Sequence, residues 1–409
     1  MQVIVFFTIL KSMILFKEFA NHAFSTIRTT TAAVSPSCLN SSQIEACFGK
    51  EELVEILTNA EVPLDHDRCN RLPTWRAMTD LYGEKQIVVG LETCQAYRDM
   101  IQTTAGATPM PRIAGLCNSG TNVLNQLLFR NLGNITHVGA PRQGYQVPWG
   151  KHAQAKHRLT NIFQNTVENA TWVLPIVLIR DPYRWMQSMC KAPYFNKWKR
   201  DNSDERHCPN LLLLEQPPST MTSTNITHSN HSTNATTIQV HLPPPFASSQ
   251  LVQPNKVESV YTEMRFPRLP IEQYDSLAHY WSTWNRQYLD ATYPRLFVRF
   301  EDLLLHARDV YSQILNCAGI PINDGTNVLS HDTPTSNKTN NSSSSMNRSF
   351  RYVRDKAKNH GDAVGLLGEL FKHANPETRK NGYWPLDLDY AKSKLDEELM
   401  QLLHYPHPS

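Results

Sequence analysis

The sequence predicts a three-layer α/β fold, a mostly parallel sheet flanked by helices, on three observations. Residues Ile113–Leu116 are a short apolar run that ends in a tight polar loop and opens into a helix-patterned segment. Residues Thr171–Ile179 form a near-continuous apolar run, the composition of a strand buried on both faces of a parallel sheet. A third segment, Pro294–Leu305, follows a stretch, Leu277–Leu289, whose aromatics recur at helical spacing. Strands separated by helical patterns, each with polar residues at its carboxyl end, describe a doubly wound sheet with a site along that edge.

In chain order, the first 25 residues contain an apolar run, Met1–Leu10, broken by Lys11. That run is short for a membrane span, which needs about 20 apolar residues. It is closer to a signal-peptide core with small residues near Ala23–Ser25, so a signal peptide or signal anchor is expected over 1–25. Residues 38–105 read as an N-terminal cysteine-containing extension with helical patches such as Glu51–Leu57. Residues 106–409 read as the main domain. Two tracts rich in Pro, Ser, Thr and Asn, 203–258 and 333–349, are expected to be disordered insertions, because they hold too little apolar surface to order themselves. Aromatics at Tyr280, Trp281, Trp284 and Tyr288 recur at helical spacing and are expected to pack the core. Leu388–Leu403 reads as one C-terminal amphipathic helix.

The chain has 409 residues and a net charge of +3, with no long Lys/Arg block, which argues against a nucleic-acid partner. Its eight cysteines include no Cys-x-x-Cys pair, so no zinc site is expected. Asn-x-Ser/Thr acceptors such as Asn40, Asn134 and Asn169 fit entry into the secretory pathway. In an oxidising lumen Cys190 is expected to pair with Cys208, and sequence proximity suggests Cys38–Cys47 and Cys69–Cys94. Cys117 is expected to be a free, packed thiol.

Chemistry concentrates in three places. The loop Asn118-Ser119-Gly120-Thr121-Asn122 sits between a strand and a helix, where first-turn N–H groups and the positive end of the dipole favour an anion. Gly120 permits close backbone approach, and the Ser119 and Thr121 hydroxyls add donors. The Gly-Lys-Ser/Thr ending of a nucleoside-triphosphate loop is missing. At the end of the second apolar run stands Arg180, a planar charged fork for a phosphate, with Ser188 on the second turn of a helix that Pro182 can open. Between them lies a basic stretch containing Lys151 and His152.

Taken in order, these segments resemble the sulfotransferases that use 3′-phosphoadenosine 5′-phosphosulfate (PAPS), in particular the carbohydrate, Golgi-like branch. The Cys117–Asn122 loop is similar to the family's 5′-phosphosulfate loop, the Arg180–Ser188 segment to its 3′-phosphate motif, and Val298–Leu303 to its Val-Arg-Tyr-Glu-Asp-Leu strand. The resemblance implies a P-loop-like sulfotransferase fold, PAPS as donor substrate with no metal, and a glycan or glycoprotein acceptor in the Golgi lumen or membrane. It implies donor contacts from Asn118, Ser119, Gly120, Thr121, Asn122, Arg180 and Ser188, and from Arg379 and Lys380, which resemble the late loop that closes on the 3′-phosphate. Lys151-His152 loosely resembles the Lys-Thr-His segment carrying the catalytic histidine, which makes His152 the expected base and Lys151 the expected cation. Glu168 and Glu301 are alternative bases. The chain departs from the family at Asn118, where typical members carry a lysine. Two alternatives therefore stay open: a catalytically inactive binding homologue, and a P-loop nucleotide kinase or other phosphotransferase.

Overall fold

The computed structural model describes residues 46–132, 145–159, 170–198, 208–214, 257–321, 350–356, 364–373 and 375–408. Helices α1 (Glu51–Asn59), α2 (His66–Arg71) and α3 (Trp75–Tyr82) precede strand β1 (Val88–Val89), α4 (Cys94–Thr103), β2 (Met110–Gly115) and α5 (Thr121–Leu132). Then come β3 (Val173–Ile179), α6 (Pro182–Lys191), the short strands β4 (Asn196–Trp198), β5 (Leu212–Leu214), β6 (Val257–Ser259), β7 (Thr262–Met264) and β8 (Glu272–Tyr274), and α7 (Leu277–Leu289). The chain ends with β9 (Leu296–Arg299), α8 (Phe300–Leu305), α9 (Ala307–Ala318), α10 (Leu366–His373), a 3-10 turn (Pro376–Lys380), α11 (Pro385–Lys394) and α12 (Glu397–Leu402).

The main sheet has the order β1-β9-β3-β2. β3 is central, parallel to β2 on one side and to β9 on the other, and β1 closes one edge antiparallel to β9. At the other edge Gln146 bridges Ile113 in parallel. Every residue of β3 is buried, because its alternating side chains enter different cores. Val177 and Ile179 pack with Ala114 and Phe297 against α1, α3, α6, α7 and the C-terminal helices. Leu174, Ile176 and Leu178 pack with Ile113, Leu296 and Val298 against α4, α5 and α9. Helices thus cover both faces, and the three-layer α/β class expected from the apolar runs is observed, with one antiparallel edge strand.

Some boundaries differ from expectation. Gly49–Ser409 form one compact unit, so no domain boundary falls at 105/106. The reason is that β1 pairs into the sheet and α4 is tied to α9 by a Cys94–Cys317 disulfide. That bond replaces the expected Cys69–Cys94 pair; Cys69 is disulfide-bonded elsewhere. The Cys190–Cys208 disulfide is present, and Cys117 is free and buried. Within the expected insertion 203–258, residues Leu212–Leu214 are ordered as β5, paired with β6, and the Asp387 carboxylate accepts the Leu211 and Leu212 amides. The C-terminal helix is broken at Leu395, because Asp396 caps a new helix by accepting the Leu399 amide. The expected leader over 1–25, Cys38, Glu168 and the tract 333–349 lie outside the described residues; Cys47, the partner suggested for Cys38, is described and disulfide-bonded. Among the described residues no helix is long and apolar enough to cross a membrane.

Candidate functional site

The carboxyl ends of β2 and β3 lie side by side, so the segments that leave them meet. After β2 the chain turns through Asn118 and Gly120, both with positive φ (64° and 94°), and enters α5 at Thr121. Gly120 is required twice over: its φ disfavours a side chain, and a Cβ there would lie 2.3 Å from the Phe300 ring. Thr121 and Asn122 lead the helix, whose first amides have no intrahelical acceptor. Ser119 is buried, and its hydroxyl donates to the Leu116 carbonyl at 2.8 Å, so it shapes the loop from within.

Asn118 supplies a local reason for its own presence. Its amide donates to the Ala192 carbonyl at 2.7 Å and to the Ser188 carbonyl at 3.3 Å. It thereby ties the loop to the carbonyl end of α6, where the Ser188 carbonyl also accepts the Ala192 amide; a lysine ammonium aimed at a ligand could not make that tie.

Arg180 follows β3. Its Nη1 donates to the Asn118 carbonyl and to Ser188 Oγ, both at 3.3 Å, so the arginine and serine read from the sequence do meet, against the Asn118–Asn122 loop. Its guanidinium lies 4.7 Å from the Phe300 ring centroid. Its Nη2 reaches Glu369 Oε2 at 3.3 Å and His373 Nε2 at 3.0 Å, both on α10. Burial opposes ionisation of Glu369, but the Arg180 charge beside it holds the carboxyl well below the usual range. For His373, burial dominates and lowers the pKa to about 4 despite Glu369, so the ring is neutral and Nε2 accepts from Arg180.

Lys151 and His152 reach the same loop. Lys151 Nζ donates to Asn122 Oδ1 at 3.0 Å. His152 Nδ1 lies 2.6 Å from the Gly115 carbonyl. A carbonyl only accepts, so Nδ1 carries the proton and Nε2 is the nitrogen with the basic lone pair. The aromatic face of α7 holds both halves of this arrangement. Trp281 Nε1 donates to the Arg180 carbonyl and Trp284 Nε1 to the His152 carbonyl, each at 3.1 Å. Tyr288 Oη donates to the Ala153 carbonyl at 3.0 Å. The core-packing role expected for these aromatics is observed, and their polar tips fix the backbone beneath the site.

Arg379 is elsewhere. It is 2 % exposed, with Nε 2.7 Å from Asp181 Oδ2 and Nη2 bonded to the Pro406 carbonyl. Asp181 also caps α6 by accepting the Tyr183 amide at 3.0 Å. Arg379 therefore locks the C-terminal turn to the start of α6, and this structural engagement replaces the donor contact expected from it. Lys380 pairs with Glu377 at 2.7 Å, in a turn latched by Gln187 to the Thr378, Arg379 and Asn381 carbonyls. Glu301 is fully buried, accepting from the Asp181 amide at 3.2 Å and from Tyr405 Oη at 2.7 Å, which removes it as a base in contact with substrate. Burial first, then the Asp181 charge, pushes its pKa up to about 7.

Glu369, His373 and Phe300 went unread as site residues in the sequence. Nothing in their local pattern distinguishes them from ordinary helix residues; only the fold brings them onto Arg180. Among the described residues no group of three or more His, Cys, Asp or Glu side chains is arranged to hold a metal ion. Comparison of the chain with protein families, curated proteins and solved structures returned no match.

Proposed function

We propose that this chain is a PAPS-dependent sulfotransferase that moves a sulfuryl group to a hydroxyl of a glycan or secreted protein in the secretory pathway. The observation that carries the reading is a convergence. A glycine-bearing loop opening a helix, the Arg180–Ser188 pair and the Lys151–His152 pair all meet at the carboxyl ends of two adjacent parallel strands. A donor with two anionic ends suits two cationic groups that each contact one loop, Arg180 at Asn118 and Lys151 at Asn122. The disulfides are compatible with an oxidising compartment.

In this reading the 5′-phosphosulfate lies over the amides of Gly120, Thr121 and Asn122, and the 3′-phosphate meets Arg180 and Ser188. The acceptor oxygen forms a bond to sulfur while the bond from sulfur to the donor's bridging phosphate oxygen breaks. His152 Nε2 takes the hydroxyl proton, which the Nδ1–Gly115 hydrogen bond orients it to do. Negative charge that grows on the departing phosphate is met by the loop amides and by Lys151, whose bond to Asn122 puts it at the mouth of the loop. The products are a sulfate ester and adenosine 3′,5′-bisphosphate, and the imidazolium returns its proton to water. Lys151 thus takes the part that the loop lysine plays in typical family members.

A second reading, an inactive homologue that binds donor without turnover, is favoured by one observation: the Asn118 amide is committed to the end of α6. Incubation with ³⁵S-labelled PAPS and secreted glycoproteins separates the two. Label in the acceptor supports the enzyme; donor binding without label in any acceptor supports the inactive homologue.

A further inference from the structure

The arginine at the end of β3 is held in place by a helix remote in sequence. Arg180 Nη2 makes two contacts, both to α10: Glu369 Oε2, 189 positions away, and Nε2 of the neutral His373. Its Nε is buried without a hydrogen-bond partner, so nothing at that nitrogen orients the guanidinium. Among the described residues Nη1 meets only uncharged acceptors, the Asn118 carbonyl and Ser188 Oγ. The charged contact is therefore the one at Nη2, and a charged acceptor is the stronger anchor. Glu369 is itself held firmly. Its other oxygen accepts from Lys372 Nζ at 3.1 Å, and Leu366 and Leu370 bury the helix that carries it. One turn on, the His373 ring packs on Tyr82 and Phe300, with centroids 5.9 and 5.5 Å away. Phe300 also carries the guanidinium, so one ring braces both partners. The pair is not sealed from solvent: 11 and 16 % of the Arg180 and Glu369 side chains are exposed.

The geometry points to Glu369 as a positioning residue: by tying Nη2 to α10 it presents Arg180 Nη1 to a 3′-phosphate, and so sets the preference for a 3′-phosphorylated nucleotide over one without that group. The inference rests on the donor site proposed above. A guanidinium recognises a phosphate through a planar fork, so its plane and rotation must be fixed before the ligand arrives. Here Phe300 fixes the plane and α10 fixes one edge, which leaves the Nη1 edge, beside Ser188 and the Asn118 carbonyl, for the ligand. Without the anchor Arg180 keeps its charge but must be ordered at the moment of binding, and that cost is subtracted from affinity. The charge of Glu369 is not what helps. A carboxylate repels a phosphate, and Lys372 offsets that repulsion through the other oxygen. What matters is an acceptor oxygen at the reach of a glutamate side chain, on a helix that cannot shift.

The test measures, by calorimetry on the full chain, the affinities for adenosine 3′,5′-bisphosphate and adenosine 5′-monophosphate, whose ratio isolates the 3′-phosphate. Glu369→Asp keeps the charge and shortens the reach. Glu369→Gln keeps the reach and an acceptor oxygen and removes the charge. Glu369→Asp should weaken the bisphosphate by about fivefold or more and leave the monophosphate within about twofold, the latter also reporting an intact loop. Glu369→Gln should rescue the preference to the wild-type ratio or above. Unchanged bisphosphate affinity in Glu369→Asp would overturn the inference, as would an equal loss for both nucleotides. So would a loss in Glu369→Gln as large as that in Glu369→Asp. Arg180→Gln separates these failures from failure of the donor reading. A wild-type protein with no preference for the bisphosphate, or a preference that survives Arg180→Gln, would overturn the 3′-phosphate site and the inference with it.

Discussion

Replacing Glu301 by Gln should make the protein more stable at neutral pH and leave it nearly unchanged in acid. Glu301 is fully buried and titrates near 7 instead of its ordinary 4.5, chiefly through burial and then the Asp181 charge. Because the folded-state value lies above the unfolded one, the neutral carboxyl favours folding below about 4.5. That advantage is lost as pH rises through the folded value. A difference of 2.5 pH units at 1.36 kcal/mol each corresponds to about 3 kcal/mol. Glutamine resembles the protonated carboxyl and keeps an oxygen for the Asp181 amide or Tyr405 hydroxyl. Urea unfolding of both proteins at pH 4.5 and 7.5 reads the effect. Glu301→Gln should match wild type within about 1 kcal/mol at the lower pH and exceed it by about 3 kcal/mol at the higher. His373 works in the opposite sense: its depressed value, about 4, adds stability above its ordinary 6.5 that is lost as pH falls. That contribution flattens the wild-type profile; His373 Nδ1 lies 3.7 Å from Glu301 Oε1, so a His373→Gln background is compared in parallel. Parallel pH profiles for the two proteins would refute the assignment of Glu301 as a buried carboxyl that titrates near 7.

Other consequences can be read directly. His152→Ala should lower the transfer rate by about 10²–10⁴-fold while adenosine 3′,5′-bisphosphate binding persists, and unchanged turnover would remove His152 as the base. Gly120→Ala forces a Cβ against Phe300 at positive φ; a loss of about 2–4 kcal/mol in unfolding free energy and weaker bisphosphate binding are expected, by urea titration and calorimetry. Removing the Cys94–Cys317 bond by a double serine substitution opens a link across 223 residues, and should cost about 3–5 kcal/mol of stability under oxidising conditions.

The strands and the loop were legible because their signals are local. A run such as Val173–Ile179 admits few environments other than the centre of a parallel sheet, and a strand–Gly120–helix turn carries its geometry in its own residues. Arg180 and Ser188 were also local, eight residues apart across a strand-to-helix turn. Arg379 shows the limit. A basic pair before a turn glycine looks the same whether it faces a phosphate or a buried carboxylate, and Asp181, 198 positions away, decides the matter. The Cys69–Cys94 pairing failed for the same reason: proximity favoured Cys69 for Cys94, whereas the packing of α4 on α9 brings Cys317 to it, while the local Cys190–Cys208 pair was legible. Glu369 and His373 could not have been found, since their meaning comes wholly from Arg180.

The donor site is tested most directly by thermal unfolding of the full chain with adenosine 3′,5′-bisphosphate and, separately, with ATP–magnesium. Selective stabilisation by the bisphosphate is predicted, about 2.7 kcal/mol at one hundred times its Kd, and it should be lost in Arg180→Gln. Stabilisation by ATP–magnesium alone, or no shift with either ligand in a well-folded sample, would contradict the account.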